Sequence, residues 1–152
     1  MIVIRPGRDG ETATLAAIFT RAVHEIASRD YDAAQLRAWA PGDVAGFAAR
    51  HRAYDAIVAE YDGVIAGFSD LKSDGYIDML YVSPDFQRRG VARALLNHIE
   101  AQARNMRMAR LHVRASITAR PVFARHAFQV MEPLTVELAG QSFQTYVMEK
   151  RL

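Results

Sequence analysis

The chain has 152 residues, 51% of them apolar, and a formal net charge of +2 with its five histidines neutral. That is enough apolar material for one domain with a full core over residues 1–152, and too much for a disordered segment. It has no cysteine, which excludes a disulfide scaffold, a thiolate metal site and a cysteine nucleophile. No apolar run reaches the length of a membrane span, and residues 1–6 are too short for a signal peptide, so the expected compartment is cytoplasmic.

In chain order, residues 1–6 read as an edge strand stopped by Pro6. Thr12, Leu15, Ile18, Phe19, Ala22, Val23 and Ile26 recur at helical spacing. A short helix is expected from about Asp32 to Trp39, and Asp43 is placed to cap another over 44–50. The period then changes. Residues 54–61 and 64–71 read as strands joined by an Asp62-Gly63 hairpin turn, and Ser73-Asp74-Gly75 turns into a third strand, 76–82. Helical spacing returns from Arg89 to about Arg104, with Ala92, Leu95, Leu96, Ile99 and Ala103 as the apolar stripe. A short strand at 109–113, a helix at 117–125 and strands at 128–130 and 143–148 complete the order. Pro121 falls early in its helix, where a missing N–H is tolerated. The expected class is α/β (α+β mixed), a mixed, mostly antiparallel sheet of about six to seven strands with about four to five helices. A right-handed crossover would make the strands flanking the central helix parallel neighbours.

The segment with chemistry runs from Leu80-Tyr81-Val82 through Ser83-Pro84-Asp85-Phe86 to Gln87-Arg88-Arg89-Gly90-Val91-Ala92-Arg93. It reads as strand, tight loop and helix start. A helix N-terminus offers free N–H groups and partial positive charge, which favour phosphate. Gly90 lets backbone come close to a ligand, and Arg88 and Arg89 add charge at the mouth. The loop is neither the Gly-Lys-Ser/Thr nucleotide loop nor the Gly-x-Gly-x-x-Gly dinucleotide loop. Taken alone, it also suits an ordinary loop glycine before a surface helix.

The stretch resembles the acetyl-CoA-binding motif of the GCN5-related N-acetyltransferases, Gln/Arg-x-x-Gly-x-Gly/Ala, and is similar to a bacterial branch of that family. The preceding strand ends Leu-Tyr-Val, and an amphipathic helix follows, as in the family. Ser116, Ala119 and Val122-Phe123-Ala124-Arg125-His126-Ala127-Phe128 resemble its second signature. The resemblance implies a GNAT-like fold, acetyl-CoA as acyl donor, and direct transfer to a small-molecule or peptide amine. It further implies that the strands ending at Val82 and Val113 splay apart, that backbone of Leu80 and Val82 holds the pantetheine, that N–H groups from Arg88 to Arg93 hold the pyrophosphate, and that Ser116 and Phe123 flank the thiol end. The family's common tyrosine is Phe123 here, so no hydroxyl is available there as general acid. Its usual asparagine is Ser116. Its usual glycine is Ala127, which disfavours a positive φ.

Asp78, on the strand leading to the reaction zone, is the candidate base and shares a face with Tyr76, Leu80 and Val82 by alternation. The alternative is a strand carboxylate paired with an arginine. His112, His24, Tyr31 and Trp39 are weaker candidates for the acceptor site. For His24 a solvent-facing position is the better expectation, and a lone strand histidine such as His112 is more often packed. Arg104, Arg107, Arg110 and Arg114 form a basic run with too little aromatic interleaving and net charge for a nucleic-acid surface. A metal, nucleic acid and a membrane are not expected; a homodimer is compatible with the fold. The competing function is a non-catalytic coenzyme A or nucleotide sensor, kept open by Phe123.

Overall fold

The computed structural model describes residues 1–152. Its elements in chain order are β1 (Ile2–Pro6), α1 (Thr12–Glu25), α2 (Ala33–Trp39), α3 (Val44–Arg50), β2 (Ile57–Tyr61), β3 (Val64–Ser69), β4 (Tyr76–Ile77), β5 (Leu80–Val82), α4 (Val91–Asn105), β6 (Arg110–Ser116), α5 (Arg120–Arg125), β7 (Gln129–Leu138) and β8 (Gln141–Arg151). They form two four-stranded sheets, ordered β1-β2-β3-β5 and β4-β6-β8-β7. Every pairing is antiparallel except β4 with β6.

The mixed, mostly antiparallel class matches expectation, and the difference lies in the third strand. Residues 76–82 do not run as one strand. They break after Ile77, and the two pieces join different sheets. The parallel neighbour of β6 is therefore β4, not the strand that ends at Val82.

Helix α4 lies across both sheets. Val91, Leu95, Leu96, Ile99 and Ala103 are buried against Ile57, Ala59 and Ala66 of the first sheet and Leu111, Val113 and Met148 of the second. The stripe is shifted from the expected one, because Val91 is buried while Ala92 is only half-buried and turned to a cleft. Helices α1 and α3 bury Leu15, Ile18 and Phe47 on Val58, Phe68 and Met79. The helix ends follow their sequence signals. Asp32 and Gln35 form a reciprocal capping box, each side chain accepting the other's N–H at 2.8 Å. Asp43 accepts the Gly46 N–H at 2.9 Å.

Several boundaries moved. Residues 53–55 form a 3-10 turn where a strand start was expected. The last two strands run far beyond 128–130 and 143–148. β7 is an edge strand that is mostly exposed and contains Pro133. Alternation appears only in its second half, at Leu134, Val136 and Leu138, after the exposed Val130-Met131 and Pro133, and an edge tolerates proline.

Ala127 takes up φ +66° despite its side chain. The reason is the way α5 ends. The Ala127 N–H donates to the Ala124 carbonyl at 3.0 Å, and the Phe128 N–H donates to the Phe123 carbonyl at 3.1 Å. This is a Schellman arrangement, closed by the Phe123–Phe128 ring contact at 5.1 Å. Burial of Phe128 outweighs a left-handed strain of about 1 kcal/mol at the alanine.

Tyr31 ties the helical segment to the second sheet. Its hydroxyl donates to the Gln144 carbonyl at 2.7 Å and accepts the Ile117 N–H at 2.9 Å.

Two stability predictions follow from these contacts. Ala127→Gly should stabilise the fold by about 1 kcal/mol in chemical denaturation, since glycine takes positive φ without strain. Tyr31→Phe should cost about 1–3 kcal/mol in the same measurement, because two backbone groups lose their partner.

Candidate active site

The break after Ile77 opens the site. β4 and β6 run side by side only at Tyr76↔His112 and Ile77↔Val113. Beyond that point β5 turns to β3, pairing Ser69↔Leu80 and Gly67↔Val82, while β6 continues to Ser116 beside β8. Between β5 and the upper part of β6 lies a cleft of about 1510 Å³.

Backbone alternation fixes what β5 shows the cleft. The Met79 carbonyl accepts from Ser69 Oγ at 2.5 Å, and the Ser83 N–H donates to the Ala66 carbonyl at 2.8 Å. Odd-numbered residues thus point their backbone at β3. Leu80 and Val82 point theirs the other way, into the cleft, as an edge with no strand partner, the Val82 carbonyl accepting only from the Gln87 side chain. Gly67 permits this β3–β5 approach, since a Cβ there would lie 2.8 Å from the Tyr81 carbonyl oxygen.

The loop after β5 ends in the N-terminus of α4. Arg88 and Gly90 both have positive φ, +60° and +81°. Only conformation demands glycine at 90, because a Cβ there meets nothing closer than Ile2 Cδ1 at 3.9 Å. The first intrahelical bond runs from the Ala94 N–H to the Gly90 carbonyl at 3.0 Å. The N–H groups of Val91, Ala92 and Arg93 precede it and have no partner within the helix. Left-handed residues on either side of Arg89 turn the loop tightly into this helix N-terminus, which favours an anion.

The side chains of the motif divide in ways the sequence did not signal. Arg88 and Arg93 line the cleft. Arg89 does not; its guanidinium lies over the rings of Tyr61 and Phe86 at 5.4 and 5.5 Å. Gln87 lines the cleft but donates to the Val82 and Ser83 carbonyls at 3.1 and 3.3 Å, so it holds the loop's shape. Ser116 lines the cleft while its hydroxyl accepts the Ala119 N–H at 3.0 Å. Phe123 reaches the same cleft, 2% exposed and packed on Phe128.

Asp78, Tyr31 and Trp39 line the other end of the cleft. Asp78 is exposed and forms no ion pair, so the paired-carboxylate alternative does not describe it. Strict alternation from Tyr76 to Val82 is interrupted at 78–79, yet Tyr76, Asp78, Leu80 and Val82 all face the cleft. Tyr81 faces it too. Its ring meets Phe19 edge-on at 4.9 Å, and its hydroxyl accepts the Trp39 indole N–H at 3.3 Å. Burial pushes the Tyr81 phenol well above its ordinary range, so it stays protonated.

Two of the histidines lie elsewhere. The His24 ring is within 2.7 Å of the Ala40 carbonyl and does not reach the cleft. His112 stacks by Tyr76 at 5.2 Å, with Asp74 at 3.7 Å, also off the cleft. Sequence reading did not assign Arg29, Arg114 or Phe143 to the site, and all three line it, as does His126. The basic run is dispersed: Arg104 pairs with Glu100 and Arg110 with Glu149, leaving Arg114 at the cleft. Arg29, Arg88, Arg93, Arg114 and Arg125 line it without a carboxylate partner, whereas the cleft's Lys150 and Glu100 pair with each other at 2.8 Å. Asp78 is then the one unpaired acid against five unpaired arginines, a balance that attracts an anionic ligand.

Known proteins share this architecture. The family model for the acetyltransferase (GNAT) domain matches residues 27–150. An uncharacterised N-acetyltransferase of Escherichia coli (strain K12), YafP, is 37% identical over 147 residues, covering 97% of this chain and 94% of the relative. A crystal structure of a GCN5-related N-acetyltransferase from Rhodopseudomonas palustris aligns with a TM-score of 0.91 at 34% identity, over 99% of this chain and 95% of that one. In fold alone, yncA from Salmonella typhimurium, solved with acetyl-CoA, aligns at a TM-score of 0.66 and 21% identity, over 99% and 93% of the two chains. With the family model matched over most of its length and these relatives spanning nearly all of it, the chain belongs to the GCN5-related N-acetyltransferase family.

Proposed function

We propose that the protein transfers the acetyl group of acetyl-CoA to an amine by direct attack. The observation that carries this reading is the edge of Leu80 and Val82, which has no strand partner on the cleft side, leading to the N–H groups at the start of α4. A pantetheine arm has amides spaced along an extended chain and suits a vacant strand edge. Its pyrophosphate suits a helix N-terminus beside Arg88 and Arg93. The family membership and the acetyl-CoA bound by yncA support the same donor.

The donor's thioester would then sit towards Asp78, with Ser116 and Phe123 on the opposite wall. An amine entering between Tyr31, Trp39 and Asp78 attacks the thioester carbonyl carbon. A C–N bond forms, the C–S bond breaks, and the amine's proton passes to Asp78 directly or through one water. The thiolate takes its proton from water or from a cleft tyrosine, because Phe123 has none to give. No covalent enzyme stage is needed.

Phe123 is also the one feature that suits a sensor binding coenzyme A without turnover. Turnover separates the readings: amide product formed from acetyl-CoA and any amine supports the enzyme, whereas tight binding with no product across a broad amine screen favours the sensor.

Calorimetric titration with acetyl-CoA should show micromolar-range binding by the wild type. Gly90→Glu should weaken it at least tenfold, while Gly90→Asn, which tolerates the left-handed conformation, should retain most of it. Absence of wild-type binding in a folded sample would sink the proposal. Once an amine is found, Asp78→Asn should lower kcat by about 10²–10⁴-fold and leave acetyl-CoA affinity unchanged; an unchanged kcat would remove Asp78 from the chemistry.

A further inference from the structure

Asp70 follows β3, is 3% exposed, and does not line the cleft. Its Oδ1 accepts two successive backbone N–H groups, those of Asp78 at 2.9 Å and Met79 at 2.8 Å. In a regular strand, adjacent N–H groups point to opposite edges, so two neighbours cannot share one acceptor. Here they do, and the consequence is a change of phase. Before the break, the Gly75 carbonyl accepts from the His112 N–H at 3.0 Å, so odd-numbered residues aim their backbone at β6. Tyr76 aims the other way, its carbonyl accepting from the Lys72 N–H at 2.8 Å. After the break, Met79 and Ser83 aim at β3. The alternation resets by one residue between Asp78 and Met79. Without the reset, the backbone of Met79 and Tyr81 would face the cleft in place of Leu80 and Val82.

We propose that Asp70 is a positioning residue for the cleft, its buried carboxylate setting the strand phase that turns the backbone of Leu80 and Val82 to the ligand and aims the Asp78 side chain. Three contacts act together. Ser69, fully buried, donates its hydroxyl to the Met79 carbonyl, so both polar groups of Met79 are held on the β3 side. Asp70 Oδ1 takes the two N–H groups. Asp70 Oδ2 has no hydrogen-bond donor and lies 3.3 Å from the Lys72 ammonium. Burial raises the carboxyl's pKa, and the Met79 N–H, the Lys72 ammonium and the Asp78 N–H oppose that rise. An oxygen that accepts two N–H groups at this spot is the requirement; asparagine supplies one and alanine none.

The inference rests on acetyl-CoA as ligand only for its affinity arm; the backbone arm stands without it. Wild type, Asp70→Asn, Asp70→Ala and Ser69→Ala are compared by calorimetry with acetyl-CoA and by amide hydrogen exchange in the unliganded protein. In the wild type, the Asp78 and Met79 amides should be strongly protected. In folded Asp70→Ala, their exchange should rise at least tenfold more than that of Phe68, and acetyl-CoA affinity should fall at least tenfold. Asp70→Asn should restore protection and stay within about threefold of wild-type affinity, a recovery that a general loss of stability does not give. Should Asp70→Ala fail to fold, Ser69→Ala carries the test: it should loosen the Met79 amide and weaken binding at least threefold. Unchanged exchange at these two amides, or unchanged affinity in a variant whose amides have opened, would overturn the inference. If the wild type binds no acetyl-CoA, the donor assignment fails and the exchange pattern alone decides on Asp70.

Discussion

Two adjacent N–H groups bonded to one carboxylate oxygen mark the point from which the rest of this fold takes its shape. A strand can extend one sheet only while its backbone keeps phase with the neighbours. Between Asp78 and Met79 the phase is reset, and the chain leaves β6 for β3. Everything that makes a site follows from that departure. The gap between the sheets is the cleft, the abandoned edge is its floor, and the helix after β5 caps one end. Pairing with two sheets in turn leaves polar backbone unpaired, and a fold otherwise avoids that cost.

Helix α4 makes the divergence sustainable. It buries one apolar stripe on residues of both sheets, so they stay joined below the cleft while they separate above it. The same helix offers its N-terminal N–H groups at the open end. Packing and anion attraction thus come from opposite ends of one element. Arginines reinforce the second role unevenly: Arg88 and Arg93 face the cleft, while Arg89 lies on aromatic rings and serves the loop's packing.

Much of this was legible in the sequence because it rests on local chemistry. Asp32, Asp43 and Gly90 mark helix starts through their own backbone neighbours, and the Asp62-Gly63 hairpin is likewise short-range. Periodicity gave α1 and α4 to within a few residues. What escaped was set by distant partners. The break at 78–79 depends on a carboxylate eight and nine positions earlier, and no residue at the break announces it. The extent of β7 hides because Pro133 and the exposed Val130-Met131 interrupt its first half, leaving alternation only at Leu134, Val136 and Leu138. Ala127 takes up a glycine's conformation since Phe128 has a core to enter. In the site, Asp78 and the α4 motif were readable from position along the strand and loop, whereas Arg29, Arg114 and Phe143 arrive from elements brought near only by tertiary folding.

The strand order also divides the two sheets along the chain. β1, β2, β3 and β5 all precede α4 in the chain, so the first sheet has every strand it needs before the second has more than the two residues of β4. That sheet is completed by the last hairpin, β7–β8, whose Ala139-Gly140 turn has positive φ at both positions. β8 pairs β6 along its whole length, and β6 in turn holds the short β4. The two walls of the cleft therefore come from opposite sides of α4 in the chain, β5 before it and β6 after it. Any ligand that touches both acts as a clasp between them and stabilises the folded molecule in proportion to the logarithm of its concentration over Kd.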